Sequence, residues 1–120
     1  MTFDILDLGL IKYDEAFSLQ EELVQKRAQD QIADTVVFCR HPSVVTLGRS
    51  SKPEDLFGWT GEVIQTNRGG RATYHGPDQI IIYPILKLKE NKPLALKDQD
   101  VRAYLESLED AVIDVLSSLD

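Results

Sequence analysis

The residues best suited to chemistry lie together in one glycine-containing segment, residues 67–77, which reads NRGGRATYHGP. Adjacent glycines permit positive φ angles and let backbone N–H groups approach a ligand. Arginine neutralises anions or carboxylates, tyrosine offers an apolar ring with a polar tip, and histidine can move a proton near neutral pH. We therefore predict a substrate-binding site, with a plain hairpin as the alternative, formed by Arg68, Gly69, Gly70, Arg71, Ala72, Thr73, Tyr74 and His75.

Other chemical readings of the sequence are weaker. The segment lacks the Gly-Lys-Ser/Thr ending of a phosphate-binding loop and does not match a dinucleotide-binding fingerprint. Cys39 is the only cysteine and lies in the apolar run TVVFC, which favours a core residue over a nucleophile. His41 precedes Pro42, a pair that favours a rigid turn over a histidine that orients a loop or an acyl group. Cys39, His41 and His75 do not have zinc-site spacing, so we expect no metal.

Composition limits the class of protein. The chain has 120 residues, 42% of them hydrophobic and 28% charged, with a net charge of −7. These values indicate one soluble globular domain and disfavour nucleic acid as a partner. The longest apolar run has seven residues, at 80–86, too few to span a membrane, and the N-terminus does not resemble a signal peptide. A single cysteine fits a reducing cytoplasm.

The charge is unevenly distributed. Residues 40–75 carry five basic and three acidic side chains, within a chain that is acidic overall. This locally basic centre indicates a site for an anion or an acidic partner, or else chance clustering on a loop-rich surface.

The elements that must position these residues follow from hydrophobic periodicity. Alternation or β-branched runs predict strands at 3–10, 35–39, 44–47, 62–66 and 79–86, the last with Pro84 at an edge or a bulge. Helical spacing predicts a helix that begins at Asp14 as N-cap and ends near Lys26 and Arg27, and a second helix over 101–119. Six of the seven glycines lie between residues 42 and 77, so that stretch is turn-rich, and Pro93 marks a further loop.

These elements predict an α+β (mixed α/β) fold, a mixed sheet with flanking helices. The last helix has a broad apolar stripe, yet no glycine cap or proline follows it. Helices usually end with such signals. We therefore expect the sequence to be truncated at its C-terminus, within a domain.

Three ordered motifs carry a resemblance to a known family. They are HPSVVTLGR at 41–49, RGG-x-x-TYHGP-x-Q at 68–79 and YPIL at 83–86. Together with the stretch from LGLI at 8–11 to Gln20 and Glu21, they closely resemble the lipoyl(octanoyl) transferase family. The resemblance implies a biotin/lipoate ligase-type catalytic domain, with residues 1–120 a single incomplete domain whose core motifs lie in 35–120.

The resemblance also implies a reaction. An octanoyl group passes from acyl carrier protein to a cysteine as a thioester, and then to a lysine of lipoyl domains in dehydrogenase complexes or glycine cleavage protein. The segment from Arg68 to His75 would line the acyl pocket, and no cofactor is expected. The family's catalytic cysteine and lysine fall after the equivalent of Asp120, so we expect this chain alone to be inactive. Arg40 and Asp78 depart from the family pattern, at sites that could change loop geometry or charge.

Two alternatives stay open. The chain could be a non-catalytic fragment, or half of a split enzyme that binds the acyl chain while a partner supplies the cysteine and lysine. It could also be a relative of the lipoate or biotin ligases, which would use an adenylate and therefore bind ATP with magnesium.

Overall fold

The computed structural model describes residues 2–88 and 101–120. Six strands and two helices lie within these two ranges. The elements are β1 (Asp4–Leu10), α1 (Tyr13–Ala28), β2 (Thr35–Arg40), β3 (Val44–Leu47), β4 (Glu62–Gln65), β5 (Thr73–His75), β6 (Ile81–Ile85) and α2 (Val101–Ser118), with a 3₁₀ turn at Pro53–Leu56. Every predicted strand and helix is present. β5 was not predicted, and the predicted loop around Pro93 lies outside the described residues.

The strands form two small mixed sheets. In the first, β2 lies between β1, to which it is parallel, and β6, to which it is antiparallel. In the second, β3 lies between the parallel β4 and the antiparallel β5. Within the described residues β6 is an outer strand, which confirms the edge position predicted from Pro84, since proline cannot donate to a ladder. The mixed pairing and the two helices confirm the α+β class.

The core lies along one face of β2. Thr35, Val37 and Cys39 alternate with more exposed neighbours and are 5%, 1% and 3% exposed. Ala16 of α1 is equally buried, at 1%, and α1 contacts β6 beside β2. This alternation confirms the prediction that Cys39 is a core residue.

Helix α1 begins differently from the prediction. Lys12 is its N-cap residue and makes no capping side-chain hydrogen bond, so the assignment of Asp14 as N-cap was wrong. Asp14 lies in the first turn and Lys26 in the last, where both charges interact favourably with the helix dipole. An acidic residue is favourable both as the N-cap and in the first turn of a helix, so residue type alone did not show which of the two positions Asp14 occupies.

Helix α2 has the predicted apolar stripe, but that stripe is not covered by the described residues. Leu105, Val112 and Leu116 are 52%, 54% and 59% exposed. Within residues 2–88 and 101–120, no helix is long and apolar enough to cross a membrane.

Candidate functional site

The glycine loop, residues 68–71, is held against the end of β3 by its own backbone. The N–H groups of residues 48–50 donate to carbonyl oxygens of the loop at 3.3, 3.0 and 3.0 Å. A Cβ atom at Gly48 would lie 2.3 Å from the oxygen of Gly70 and 2.7 Å from that of Gly69, so this close approach requires glycine. Gly70 itself has a φ of 81°, a conformation that favours glycine. Backbone contacts within the protein therefore define the shape of the loop.

Arg68 directs its guanidinium towards β3. Its Nη2 donates to the carbonyl oxygen and to Oγ1 of Thr46, both at 2.9 Å, and its Nη1 donates to the oxygen of Gly69 at 2.9 Å. Thr46 is fully buried, so these bonds anchor the guanidinium at the inner face of the second sheet. The loop and its positive charge are thereby fixed to β3.

Arg71 is paired within the protein instead. Its Nε donates to Oδ2 of Asp55 at 3.0 Å, and its Nη2 donates to Oδ1 of the same carboxylate. The N–H of Lys52 donates to Oδ2 as well, at 2.9 Å. The guanidinium of Arg71, with the help of this N–H, lowers the pKa of Asp55 to about 2. The charge of Arg71 is therefore largely balanced by a carboxylate of the same chain.

His75 lies on the same face of the sheet as Thr46. It is opposite Val44 in the β3–β5 ladder, two residues before Thr46, and alternate residues of a strand share a face. Partial burial lowers the pKa of His75, and the nearby His41 and Arg68 lower it further, while a hydrogen bond with Gln79 acts in the opposite direction. The imidazole is therefore neutral at neutral pH.

Two rings from other parts of the chain pack against the imidazole of His75. The ring of Tyr13, at the start of α1, is stacked on it with centroids 5.9 Å apart and an interplanar angle of 11°. His41 lies edge-on to it at 6.0 Å and 70°, and edge-on to Tyr13 at 5.3 Å and 66°. The rings of Tyr13 and His41, which are distant from His75 in sequence, thus fix the imidazole of His75.

His41 is more than the rigid turn that the sequence favoured. It does join β2 to β3, but it is 0% exposed, and both of its ring nitrogens are hydrogen-bonded. Nδ1 lies 2.8 Å from the carbonyl oxygen of Ile11, and Nε2 lies 2.8 Å from Oη of Tyr83. Cys39 Sγ is 3.7 Å from Nε2, and burial, with a smaller contribution from Asp7, raises the pKa of the thiol. Cys39 and His41 therefore form a buried polar contact. A nucleophilic cysteine needs an exposed thiolate, so we do not assign this pair a catalytic role.

Tyr74 lies on the opposite face of β5 from His75. It pairs with Val45 and is 47% exposed. Its ring packs edge-on to Trp59 at 5.7 Å and 71°, and its Oη lies 3.2 Å from Oγ of Ser43.

The eight predicted residues therefore do not form one surface. Arg68 and His75 meet at the inner face, Thr73 shares the face of His75 by alternation, Tyr74 faces outward, and the half-buried Ala72 joins the loop to β5.

Sequence reasoning did not single out four residues that build this site. They are Tyr13, Thr46, Asp55 and Gln79. Gln79 belongs to the motif at 68–79, so its place beside a histidine was a usable signal. The other three lie in separate segments, and only the fold brings them to the loop.

The sequence that builds these sheets and this loop matches a known family. The chain belongs to the family described as Lipoyl protein ligase A/B catalytic domain, which it matches over residues 12–120. This confirms the predicted resemblance.

The curated relatives are more specific in name. The chain is 47% identical to an octanoyltransferase of Bdellovibrio bacteriovorus over 112 residues, which are 93% of this chain and 51% of that protein. It is 45% identical to an octanoyltransferase of Corynebacterium glutamicum over 116 residues, covering 97% of this chain and 43% of the relative. A third octanoyltransferase, of Chloroflexus aggregans, is 37% identical over 97% of this chain and 53% of its own length. The chain thus spans about half the length of these relatives.

Proposed function

We propose that this chain forms the acyl-binding part of an octanoyltransferase. The reaction transfers an octanoyl group from acyl carrier protein to a lysine of lipoyl domains, such as those of dehydrogenase complexes and glycine cleavage protein. The observation that carries the proposal is the Arg68 loop, braced on β3 with His75 on the same face, in a chain similar to proteins named octanoyltransferase. The lone buried cysteine fits a cytoplasmic protein.

The loop suits a thioester better than a strongly charged ligand. Arg71 is neutralised by Asp55, and two of the guanidinium nitrogens of Arg68 already donate to protein oxygens. What remains is a polar patch with one anchored positive charge, next to backbone that can approach a ligand closely. Burial of the octanoyl tail beside it contributes about 0.8 kcal/mol per methylene, so affinity comes from the alkyl chain and orientation from the polar groups.

Cys39 is not the acyl carrier in this proposal. It is 3% exposed and its thiol pKa is raised, whereas thioester exchange needs an accessible thiolate. The proposed reaction takes its nucleophilic cysteine and its lysine from positions that the family resemblance puts after Asp120. The 120-residue chain is thus expected to bind the acyl group without transferring it.

Binding by the isolated chain is the first test. The ¹⁵N-labelled chain is titrated with octanoylated acyl carrier protein, and we expect chemical-shift changes in residues 68–75 and Thr46. Unacylated acyl carrier protein should shift these residues much less. Arg68→Ala should weaken binding, whereas Arg102→Ala, which removes an equal charge from an exposed site on α2, should not. Equal binding by both variants contradicts the proposal.

Transfer is the second test, carried out on the natural polypeptide that carries this sequence. Mass spectrometry of a lipoyl domain, incubated with that polypeptide and octanoylated acyl carrier protein, should show one added octanoyl group without ATP. Modification that requires ATP and magnesium would instead identify a ligase that forms an adenylate, and would overturn the proposed transfer.

A further inference from the structure

The two ring nitrogens of His75 have different surroundings. Nδ1 lies 3.3 Å from Oε1 of Gln79, and Nε2 of Gln79 donates to the carbonyl oxygen of Tyr74 at 3.3 Å. A carbonyl oxygen can only accept, so the amide nitrogen of Gln79 must face Tyr74 and its amide oxygen must face the imidazole. An amide oxygen also can only accept. Nδ1 of His75 is therefore the protonated nitrogen of the neutral ring, and Nε2 carries the lone pair.

The position of Gln79 is itself determined by the backbone. Its N–H donates to the carbonyl oxygen of Gly76 at 3.1 Å, which closes the turn that follows β5. Gly76 is buried, and a Cβ there would lie 2.3 Å from Oη of Tyr74 and 2.8 Å from its Cζ. The tight turn thus returns the side chain of Gln79 to the histidine four residues before it.

The ring plane of His75 is fixed by Tyr13. The two rings are nearly parallel, with centroids 5.9 Å apart and an interplanar angle of 11°, so Tyr13 restricts the tilt of the imidazole on that side. Tyr13 is in turn packed against the edge of His41, whose ring is immobilised by Ile11 and Tyr83. The phenol of Tyr83 is protonated at neutral pH, and burial raises its pKa further above the ordinary value. The phenol can therefore donate to Nε2 of His41 and hold the His41 ring in place.

We propose that Gln79 and Tyr13 are positioning residues that present Nε2 of His75 as a hydrogen-bond acceptor to the attacking lysine amine in the acyl-transfer site. The proposal rests on the proposed function. The carbonyl oxygen and the sulfur of an octanoyl thioester can only accept hydrogen bonds, whereas the incoming amine donates them. A neutral acceptor on the inner face, beside the anchored Arg68, matches the amine and not the thioester. Gln79 determines that Nε2 carries the lone pair, and Tyr13 sets the direction of that lone pair.

The tautomer is tested without any need for activity. Long-range ¹H–¹⁵N correlation spectra of the imidazole in the 120-residue chain should show the proton of neutral His75 on Nδ1. Gln79→Leu should shift the ring towards a mixture of tautomers. Gln79→Glu keeps an acceptor at Nδ1 and should retain the wild-type tautomer, while raising the pKa of His75 by adding a negative charge. A proton on Nε2 in the wild-type chain, or no change in Gln79→Leu, overturns the positioning role.

Tyr13 is tested with a matched pair of variants. Tyr13→Phe keeps the stacked ring and should leave the His75 signals near their wild-type positions. Tyr13→Leu removes the ring and should broaden or shift them. Equal spectra for the two variants contradict a role for stacking.

Kinetics connect the tautomer to the reaction. In the natural polypeptide, Gln79→Leu should lower kcat for a lipoyl-domain acceptor about tenfold, the effect of one hydrogen bond of about 1.4 kcal/mol. The KM for octanoylated acyl carrier protein should stay unchanged, and Gln79→Glu should recover most of kcat at a pH above the raised pKa. A change in the KM of the octanoyl donor alone overturns the proposed contact with the amine.

The two proposals can fail separately. Absence of octanoyl transfer by the wild-type polypeptide overturns the proposed function and, with it, the contact to lysine. An Nε2-protonated ring in a polypeptide that transfers octanoyl groups overturns only the role of Gln79.

Discussion

Replacement of Gly48 by alanine is expected to detach the glycine loop from β3. The new Cβ would lie 2.3 Å from the carbonyl oxygen of Gly70 and 2.7 Å from that of Gly69. Both are backbone atoms, so no side-chain rotation can relieve the contact. The loop must move away by about 1 Å to reach ordinary contact distance, since carbon and its neighbours pack at about 3.5 Å.

That movement acts directly on the bonds that brace the loop. The N–H groups of residues 48–50 donate over distances of 3.0–3.3 Å, so a shift of about 1 Å away from β3 lengthens these bonds beyond hydrogen-bond range and breaks one or more of them. Each net hydrogen bond contributes about 0.5–1.5 kcal/mol, and overpacking of a fitted site costs about 1–3 kcal/mol. We therefore expect Gly48→Ala to lower the free energy of unfolding by about 2 kcal/mol, with a decrease in Tm of about 8 °C.

Gly69→Ala is the matched control, because a Cβ there meets only the end of the Arg49 side chain, at 3.8 Å. Urea denaturation followed by circular dichroism measures both free energies of unfolding. Titration with octanoylated acyl carrier protein then shows whether the detached loop still binds. If Gly48→Ala and Gly69→Ala have the same stability, the close approach of β3 and the loop is not what fixes the loop.

Three further outcomes are expected. Arg71 holds the pKa of Asp55 at about 2, below its ordinary value of 3.8. The ion pair therefore stabilises the folded chain fully above about pH 4, and this stabilisation is lost as the pH falls towards 2. Asp55→Asn removes the titrating group, so the signals of the loop should change less with acid than in the wild type. Identical NMR acid titrations of wild type and variant contradict this. His41→Leu leaves its two hydrogen-bond partners unpaired and should cost about 1–3 kcal/mol in urea denaturation; a neutral effect contradicts the buried polar contacts of His41. Cys39 should react with a thiol reagent only in denaturant and should carry no octanoyl group by mass spectrometry after incubation with octanoylated acyl carrier protein; a thioester on Cys39 overturns its assignment to the core.

The elements that could be predicted are those whose signal is local. Alternation along β1, apolar or β-branched runs in β2, β3 and β6, and helical spacing in α2 are properties of a single segment. Strand β5 has three residues, too few for alternation to be visible, and exists because it pairs with β3. It was therefore hidden inside a segment that was interpreted as a ligand-binding loop or a plain hairpin.

The partners of the site residues could not be predicted because they are distant in sequence. His41 bonds to residues 30 and 42 positions away, Arg68 to Thr46 across 22, and Arg71 to Asp55 across 16. Sequence showed that both arginines could meet an anion. It did not show that one of them meets a carboxylate of the same chain and the other a buried threonine.

The alternation of β5 also changes how the predicted motif works. Tyr74 and His75 are neighbours in sequence, yet successive strand residues point to opposite faces, so one substrate cannot contact both side chains from the same side of β5. His75 lies with Thr46 and the Arg68 guanidinium, whereas Tyr74 is packed on Trp59. Because the carbonyl oxygen of Tyr74 accepts the hydrogen bond from Nε2 of Gln79, it is the backbone of Tyr74, and not its ring, that takes part in orienting His75.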